Sequence, residues 1–449
     1  MENTGGQTGE QVSHELSKEL SRKLEEFVEP LLRQLDAQID KRLVRTFYRS
    51  LQVVATFRNR SMGLLLSELG AYILSPAQAP AGTKRLSNLL RSEKWEHKEI
   101  ERYLWQCAGE KVGEISEAGE LALAVWDESV LEKSESIAIE GLSAVRSSKA
   151  RRLKRIKPGF YNPPGGPPVF VPGMHWLTVL VMGIQGAPTL AAMRWWSQRG
   201  ALATERRTVE EEMLKQSWSA WGRQVVHVFD RGYAGGPWLA QMTHYPVRFL
   251  LRWQTGYKLV GPDGRNRKPW EITRGKRSMG YRLIWDSRRN CQRKTGIYYC
   301  QVSHPEYPAT LWLLVSRPGK GRTPWYLLTN EPITTADDAW RLVLAYARRW
   351  QIEMTYRFAK CELAMESPRL WFWENRLKLL LMVSLVYAFL LSLLHPSFQN
   401  IRTLLLRLWC HRTGERSRNS SAPLSRLRIA ISQLWLAHPP PPATCLNPG

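Results

Sequence analysis

Acidic residues are the scarce charge in this chain. Forty Asp and Glu stand against sixty-four Lys and Arg, a formal net charge of +24. That surplus leaves little to attract a cationic partner and is the footprint of a polyphosphate one, nucleic acid first and an anionic membrane surface second. Cysteine is sparse as well: Cys107, Cys291, Cys300, Cys361, Cys410 and Cys445 form no CxxC pair and no Cys/His zinc spacing. Neither a disulfide framework nor structural zinc is implied, which fits a reducing cytoplasm. The longest uncharged apolar run, Leu379 to Leu394, falls short of the roughly 20 residues that span a bilayer, so it is read as a buried helix and no membrane partner is expected. The opening MENTGGQTGEQVSHEL lacks the basic-then-apolar order of an export signal. The glycine-rich GYAGGP that starts at Gly232 lacks a following GK[ST]; it is no Walker loop, and its glycines serve a tight turn. No internal repeat is visible.

Apolar residues are abundant, at 43%, enough for a substantial core. From Ser13 to Phe47 they recur with a helical period, Pro30 kinking or splitting the helix. RSMGLLLSELGAYIL and GTKRLSNLLRSEKW read as two further helices around SPAQAPA, either a helix-turn-helix-like reader of DNA or a plain bundle with a solvated basic face. Beyond residue 120 the pattern becomes short apolar runs that read as strands: LALAVWDES, HWLTVLVMGI, QVVHVFDRGYAGG and PVRFLLRW. TLAAMRWWSQRG and TVEEEMLKQSWSAWG between them read as helices, giving a mixed α/β layer. Lys149 to Pro168 reads as a basic loop with six cations in KARRLKRIK, suited to a DNA backbone. Pro246 to Asn330 reads as a β-rich insertion, with eleven Lys and Arg between Arg265 and Lys294. After Thr334 the chain is helical again, ending in an Arg-rich, proline-bearing tail whose last residues are expected to fray.

Within the last helical part, YARRWQIEMTYRFAK predicts one helix from Tyr346 to Lys360. At about 100° per residue, Tyr346, Arg349, Glu353 and Lys360 fall within about a 60° arc, flanked by Trp350 and Arg357. A lone carboxylate between cations suits a metal ligand held beside phosphates. Ala345, Ile352, Tyr356, Ala359 and Leu363 form an adjacent apolar stripe that would pack this helix on the sheet. Phosphodiester chemistry with two Mg²⁺ ions needs further carboxylates converging from rigid elements. Asp127, closing LALAVW, and Asp230, closing VVHVF, are the candidates, although Asp after a strand is also a common turn residue. Glu128 points to the opposite side of its strand from Asp127. Glu362, Glu366 and Glu374 compete with Glu353 as ordinary surface acids.

These residues carry a resemblance. Tyr346, Arg349, Glu353 and Lys360 match, without a gap, the YxxRxxxExxxxxxK signature of the DDE transposases of bacterial insertion sequences, specifically the insertion sequence four group. Four fixed positions at about one in twenty each coincide by chance in well under one percent of chains this long. Weaker similarity covers Leu121 to Lys133, Val225 to Ala234 and Trp325 to Glu353. The resemblance implies an α/β fold with a ribonuclease H-like catalytic core and a β-rich insertion, preceded by an N-terminal helical domain and followed by a helical C-terminal region. The implied divisions are a DNA-binding domain over 1–110, the core over 111–245 and 332–396, the insertion over 246–331 and a basic tail over 397–449. Asp127, Asp230 and Glu353 become the catalytic, metal-binding acids, with two Mg²⁺ ions that Mn²⁺ can replace. Tyr346, Arg349 and Lys360 become grips for terminal phosphates of double-stranded DNA, with Trp350 and Arg357 beside them, and Trp325 a platform for a flipped base. The DRGYAGG stretch departs from the branch that forms hairpins. A bacterial, cytoplasmic enzyme acting as a homodimer in a synaptic complex is implied. A silent transposase-derived DNA-binding protein, and a ribonuclease H-like nuclease that never joins, are the alternatives.

Overall fold

A computed structural model describes residues 9–133, 135–147, 169–286, 291–319, 321–410 and 423–443. The basic loop expected from Lys149 to Pro168 and the last six residues lie outside them. The N-terminal part is helical, as its apolar period predicts: α1 (Gly9–Asp36), α2 (Lys41–Thr56), α3 (Leu66–Ile73), α4 (Ala79–Arg91) and α5 (His97–Glu117). α1 continues through Pro30 and buries Leu16, Leu20, Leu24, Val28, Leu31 and Leu35 along one stripe. Asp40 starts α2 by accepting a hydrogen bond from the Arg42 amide at 2.7 Å. α3 and α4 cross at Gly70 and Gly82, where a Cβ on Gly82 would lie 2.2 Å from the Gly70 carbonyl oxygen, so only glycine permits that approach.

The strands then run β1 (Ala122–Glu132), β2 (Ser143–Arg146), β3 (Phe170–Met182) and β4 (Thr189–Trp196), followed by α6 (Arg206–Trp221), β5 (Val225–Phe229), α7 (Gly236–His244) and β6 (Arg248–Arg252). The β-rich part adds β7 (Leu259–Val260), β8 (Asn266–Arg267), α8 (Pro269–Ile272), β9 (Gly280–Asp286), β10 (Cys291–His304), β11 (Tyr307–Arg317) and β12 (Trp325–Thr329). Helices close the chain: α9 (Ala336–Ala347), α10 (Trp350–Cys361), α11 (Trp373–Ser392), α12 (Gln399–Trp409) and α13 (Leu424–Ala437). The described strands form one mixed, mostly antiparallel sheet of twelve, ordered β2-β3-β1-β5-β6-β12-β11-β10-β7-β8, with β4 on β3 and β9 on β10. β1, β5 and β6 are mutually parallel at its centre. β1 alternates between two apolar layers: Leu123 and Val125 face the layer of α9, α10 and α11, whereas Ala122, Ala124 and Trp126 face that of α6 and α7.

Several local readings change. TLAAMRWW, expected as helix, is strand β4, paired with β3 from Val181 to His175. Its residues are mostly buried, and sheet pairing overrides the helix propensity of Ala, Met and Arg. The apolar run belongs to a longer helix than expected, the 20 residues of α11, which by length and composition could cross a membrane. In this fold 89% of its apolar window is buried. Its cations are used internally: Lys378 Nζ donates to the Leu90 and Ser92 carbonyls at 3.3 and 2.8 Å, closing the end of α4. The proline-bearing tail is tied down too, since Gln52 donates to the Pro441 carbonyl at 2.8 Å. Two further changes, a break in the predicted 346–360 helix and the place of Asp127 within its strand, shape the candidate site.

Candidate active site

Strand register brings the first two acids together. Ala122 faces Val225 and Val125 faces Val228 on parallel β1 and β5, so the same offset carried two residues further sets Asp127 beside Asp230. Val228 faces Leu250 on β6, which puts Arg252 next in the row. Neighbours in register point to one face, and all three point toward α9 and α10 at the carboxyl ends of the parallel strands. Asp127 does not end its strand as expected. β1 continues to Glu132, paired with β3 through Asp127↔Thr178, but runs past the end of β5, which opens that edge. Asp230 ends the β5 segment as predicted and caps the next turn by accepting the Gly232 amide.

The predicted helix is two helices. α9 stops at Ala347 and α10 begins at Trp350, and the amides of Arg349 and Ile352 bond three residues back, to Tyr346 and Arg349 at 3.0 and 3.1 Å. This tightened turn puts Arg349 at the start of α10 and directs it to the sheet. Arg349 Nη1 meets Asp127 Oδ2 at 3.2 Å while Nη2 holds Glu353 Oε1, so one guanidinium joins the strand acid to the helix acid. Tyr356, on the buried side of α10, donates its hydroxyl to the Asp127 carbonyl, and Lys360 Nζ donates to Ser129 Oγ at 2.8 Å. α10 is thereby fastened along β1. Burial, then the charge of Asp230, pushes the Asp127 carboxyl up to about 7, with Arg349 pulling it back down. Among the described residues, no three His, Cys, Asp or Glu side chains close into a metal cage. The donor set nonetheless suits a hard divalent cation, since all three acids offer carboxylate oxygens and a cationic guanidinium already stands between two of them.

A groove of about 590 Å³ lies beside the acids, which do not line it but meet it through Arg349. Its floor is Arg252, Trp325, Ser316, Thr295 and Arg293, and its wall is Tyr346, Arg349 and Trp350. Tyr346 is buried, which raises its hydroxyl, with Arg349 and Arg252 alongside, and its ring meets Trp325 edge-on at 5.2 Å. Trp350 and Arg357 are exposed on α10. Arg252 escaped the sequence reading; the available signal was an arginine closing the apolar run FLL of a central strand. A larger hollow of about 950 Å³ lies elsewhere, between α2 and α4, lined by Arg42, Arg45, Arg49 and Arg85.

The rival acids have other partners. Glu362 pairs with Arg60 at 2.8 Å and Glu374 with His97 at 2.7 Å. Glu128 points away from Asp127, as strand alternation requires. Arg206 Nε lies 2.6 Å from Glu128 and 2.7 Å from the fully buried Glu210, with Arg207 2.8 Å from Glu210. Arg206 also lies over the ring of Tyr233, in the turn that Asp230 caps.

No family model matches this chain, and no curated protein matches it. Among solved structures it is similar to the piggyBac transposase of a cryo-EM synaptic complex with hairpin DNA, at 13% identity over 94% of this chain and 84% of that one. The TM-score is 0.39, too low to bear on the assignment of any residue.

Proposed function

We propose that this chain is a DNA transposase that cuts a phosphodiester at the ends of its element and joins the freed 3'-hydroxyl to target DNA. One observation carries the reading: Asp127 and Asp230 occupy neighbouring places on parallel strands, and Glu353 is tied over Asp127 through Arg349. The run β4-β3-β1-β5-β6, three antiparallel strands followed by two parallel to β1, supports a ribonuclease H-like core. The signature Tyr346, Arg349, Glu353, Lys360 supports the insertion sequence four group.

Asp127, Asp230 and Glu353 are the residues that would hold two Mg²⁺ ions, which when bound make a water or 3'-hydroxyl nucleophilic and stabilise the leaving oxygen. The cationic groove holds the sugar-phosphate strand, with Arg252 and Arg349 nearest the acids and Lys360 and Arg357 further along α10. Trp325 and Trp350 offer rings on which a base can stack. The arginine-lined hollow between α2 and α4 supports a second DNA contact in residues 1–110. Two copies acting on paired ends, in a bacterial cytoplasm, complete the reading.

A nicking assay tests it, using duplex DNA that ends in the inverted repeats flanking the coding region. Asp127→Asn, Asp230→Asn and Glu353→Gln should each lower Mg²⁺-dependent nicking by about 10³-fold or more, with end binding retained. Undiminished nicking by a variant removes that acid from the site. Joining of a pre-nicked end to target DNA separates a transposase from a nuclease that only hydrolyses.

A further inference from the structure

Arg349 holds two carboxylates at once, one on the sheet and one on the helix. Its side chain is 14% exposed, and it meets Glu353 at the i,i+4 spacing of α10 and Asp127 across on the sheet, at the tightened turn between α9 and α10. The same side chain lines the groove that contains Arg252, Tyr346 and Trp350. It therefore stands between the acids on one side and, on the other, a cationic groove suited to phosphodiesters.

We propose that Arg349 is an internal counter-cation that keeps the space between Asp127 and Glu353 closed to divalent metal until DNA in the groove draws its guanidinium away. This rests on the reading of those acids as metal ligands. This guanidinium fills the space between Asp127 Oδ2 and Glu353 Oε1 with positive charge, so a divalent ion that bridges those two oxygens must displace it. In the free protein it offsets the repulsion between acids that face one another. When a phosphate enters the groove, the planar fork has a second anion within reach and exchanges one pair of charge-assisted hydrogen bonds for another. Metal and DNA would then favour each other, and linkage requires the effect to be equal in both directions. The arrangement would restrict metal loading, and hence cutting, to the DNA-bound protein.

The test is Mn²⁺ binding to the full chain without DNA, followed by electron paramagnetic resonance of the free ion. Arg349→Gln should bind Mn²⁺ about tenfold more tightly than the wild type, within the range usual for coupled sites. Arg349→Lys, which keeps a charge but cannot fork across both carboxylates, should also tighten binding. Lys360→Gln removes a cation nearby on the same helix and should change affinity less than threefold. A short oligonucleotide should tighten Mn²⁺ binding in the wild type and add much less in Arg349→Gln. Equal affinity in wild type and Arg349→Gln overturns the proposal, as does equal tightening by Lys360→Gln, which would make the effect one of net charge. The double variant Asp127→Asn, Arg349→Gln separates the two ideas. If it loses Mn²⁺ while Arg349→Gln resembles the wild type, only the counter-cation role fails. If it keeps Mn²⁺, the acids are not the metal ligands and both readings fall.

Discussion

Asp127 and Glu128 are adjacent carboxylates on one strand, and the sheet sends them to opposite fates. Asp127 faces an open edge where β1 outruns β5, beside Asp230, with a guanidinium that also serves Glu353. Glu128 faces the α6 layer, where Arg206 is shared with a fully buried Glu210 and braced on Tyr233. Burial holds both carboxyls above their usual range, Glu128 the more so because Glu210 lies beside it; one stands next to a groove, and the other is locked into the packing. Enclosing an acid among fixed partners builds structure, whereas placing it at an open edge keeps it available to a ligand. Local destabilisation of the charged form is thus a mark of both sites, and access to the groove is what separates them.

The contrast can be broken from either side. The largest effect is expected at the structural pair: Glu210→Ala removes the acid that Arg206 and Arg207 both contact and should destabilise the fold by about 3 kcal/mol, with Glu210→Gln costing less, measured by urea denaturation. At the other carboxylate the sign reverses. Asp127→Asn should stabilise the metal-free protein by about 1–2 kcal/mol at pH 8, because it removes an ionised group that burial and Asp230 disfavour. The folded Asp127 carboxyl, raised to about 7, lies above its unfolded value, so its contribution is most favourable below about pH 4 and is lost as pH rises through 7. The stability gap between variant and wild type should therefore widen from pH 4 to 8; a constant gap would contradict the assigned environment. The smallest effect is at the edge of the site: Arg252→Ala should weaken DNA binding about tenfold and lower the salt-dependence slope by about one, leaving thermal stability within 1–2 °C. An unchanged slope would take Arg252 out of the phosphate path.

Periodicity made the N-terminal helices, most strands and the deeply buried α11 legible, because those elements repeat every two or about 3.6 residues and face one core. It misread TLAAMRWW, where propensity favours helix and only pairing with β3 makes a strand. It also missed the break at Arg348 and Arg349, since the spacing of Tyr346, Arg349, Glu353 and Lys360 reads the same through a tightened turn as through a straight helix. Asp127 and Asp230 were nameable from their places after apolar runs, but Arg252 was not: its significance is a register with another strand.

By itself the sequence determined the charge that calls for a polyanion, the identity of the acids and cations on one helical motif, and the alternation that turns Glu128 from Asp127. Those are properties of composition and short spacing, written along the chain. Only the tertiary structure decided that Asp127, Asp230 and Arg252 stand in one row and that Arg349 joins Asp127 to Glu353. The row comes from hydrogen-bond register between strands a hundred residues apart, and the join from the packing of α10 on β1. Local pattern specifies what each segment offers; pairing and packing specify what it meets.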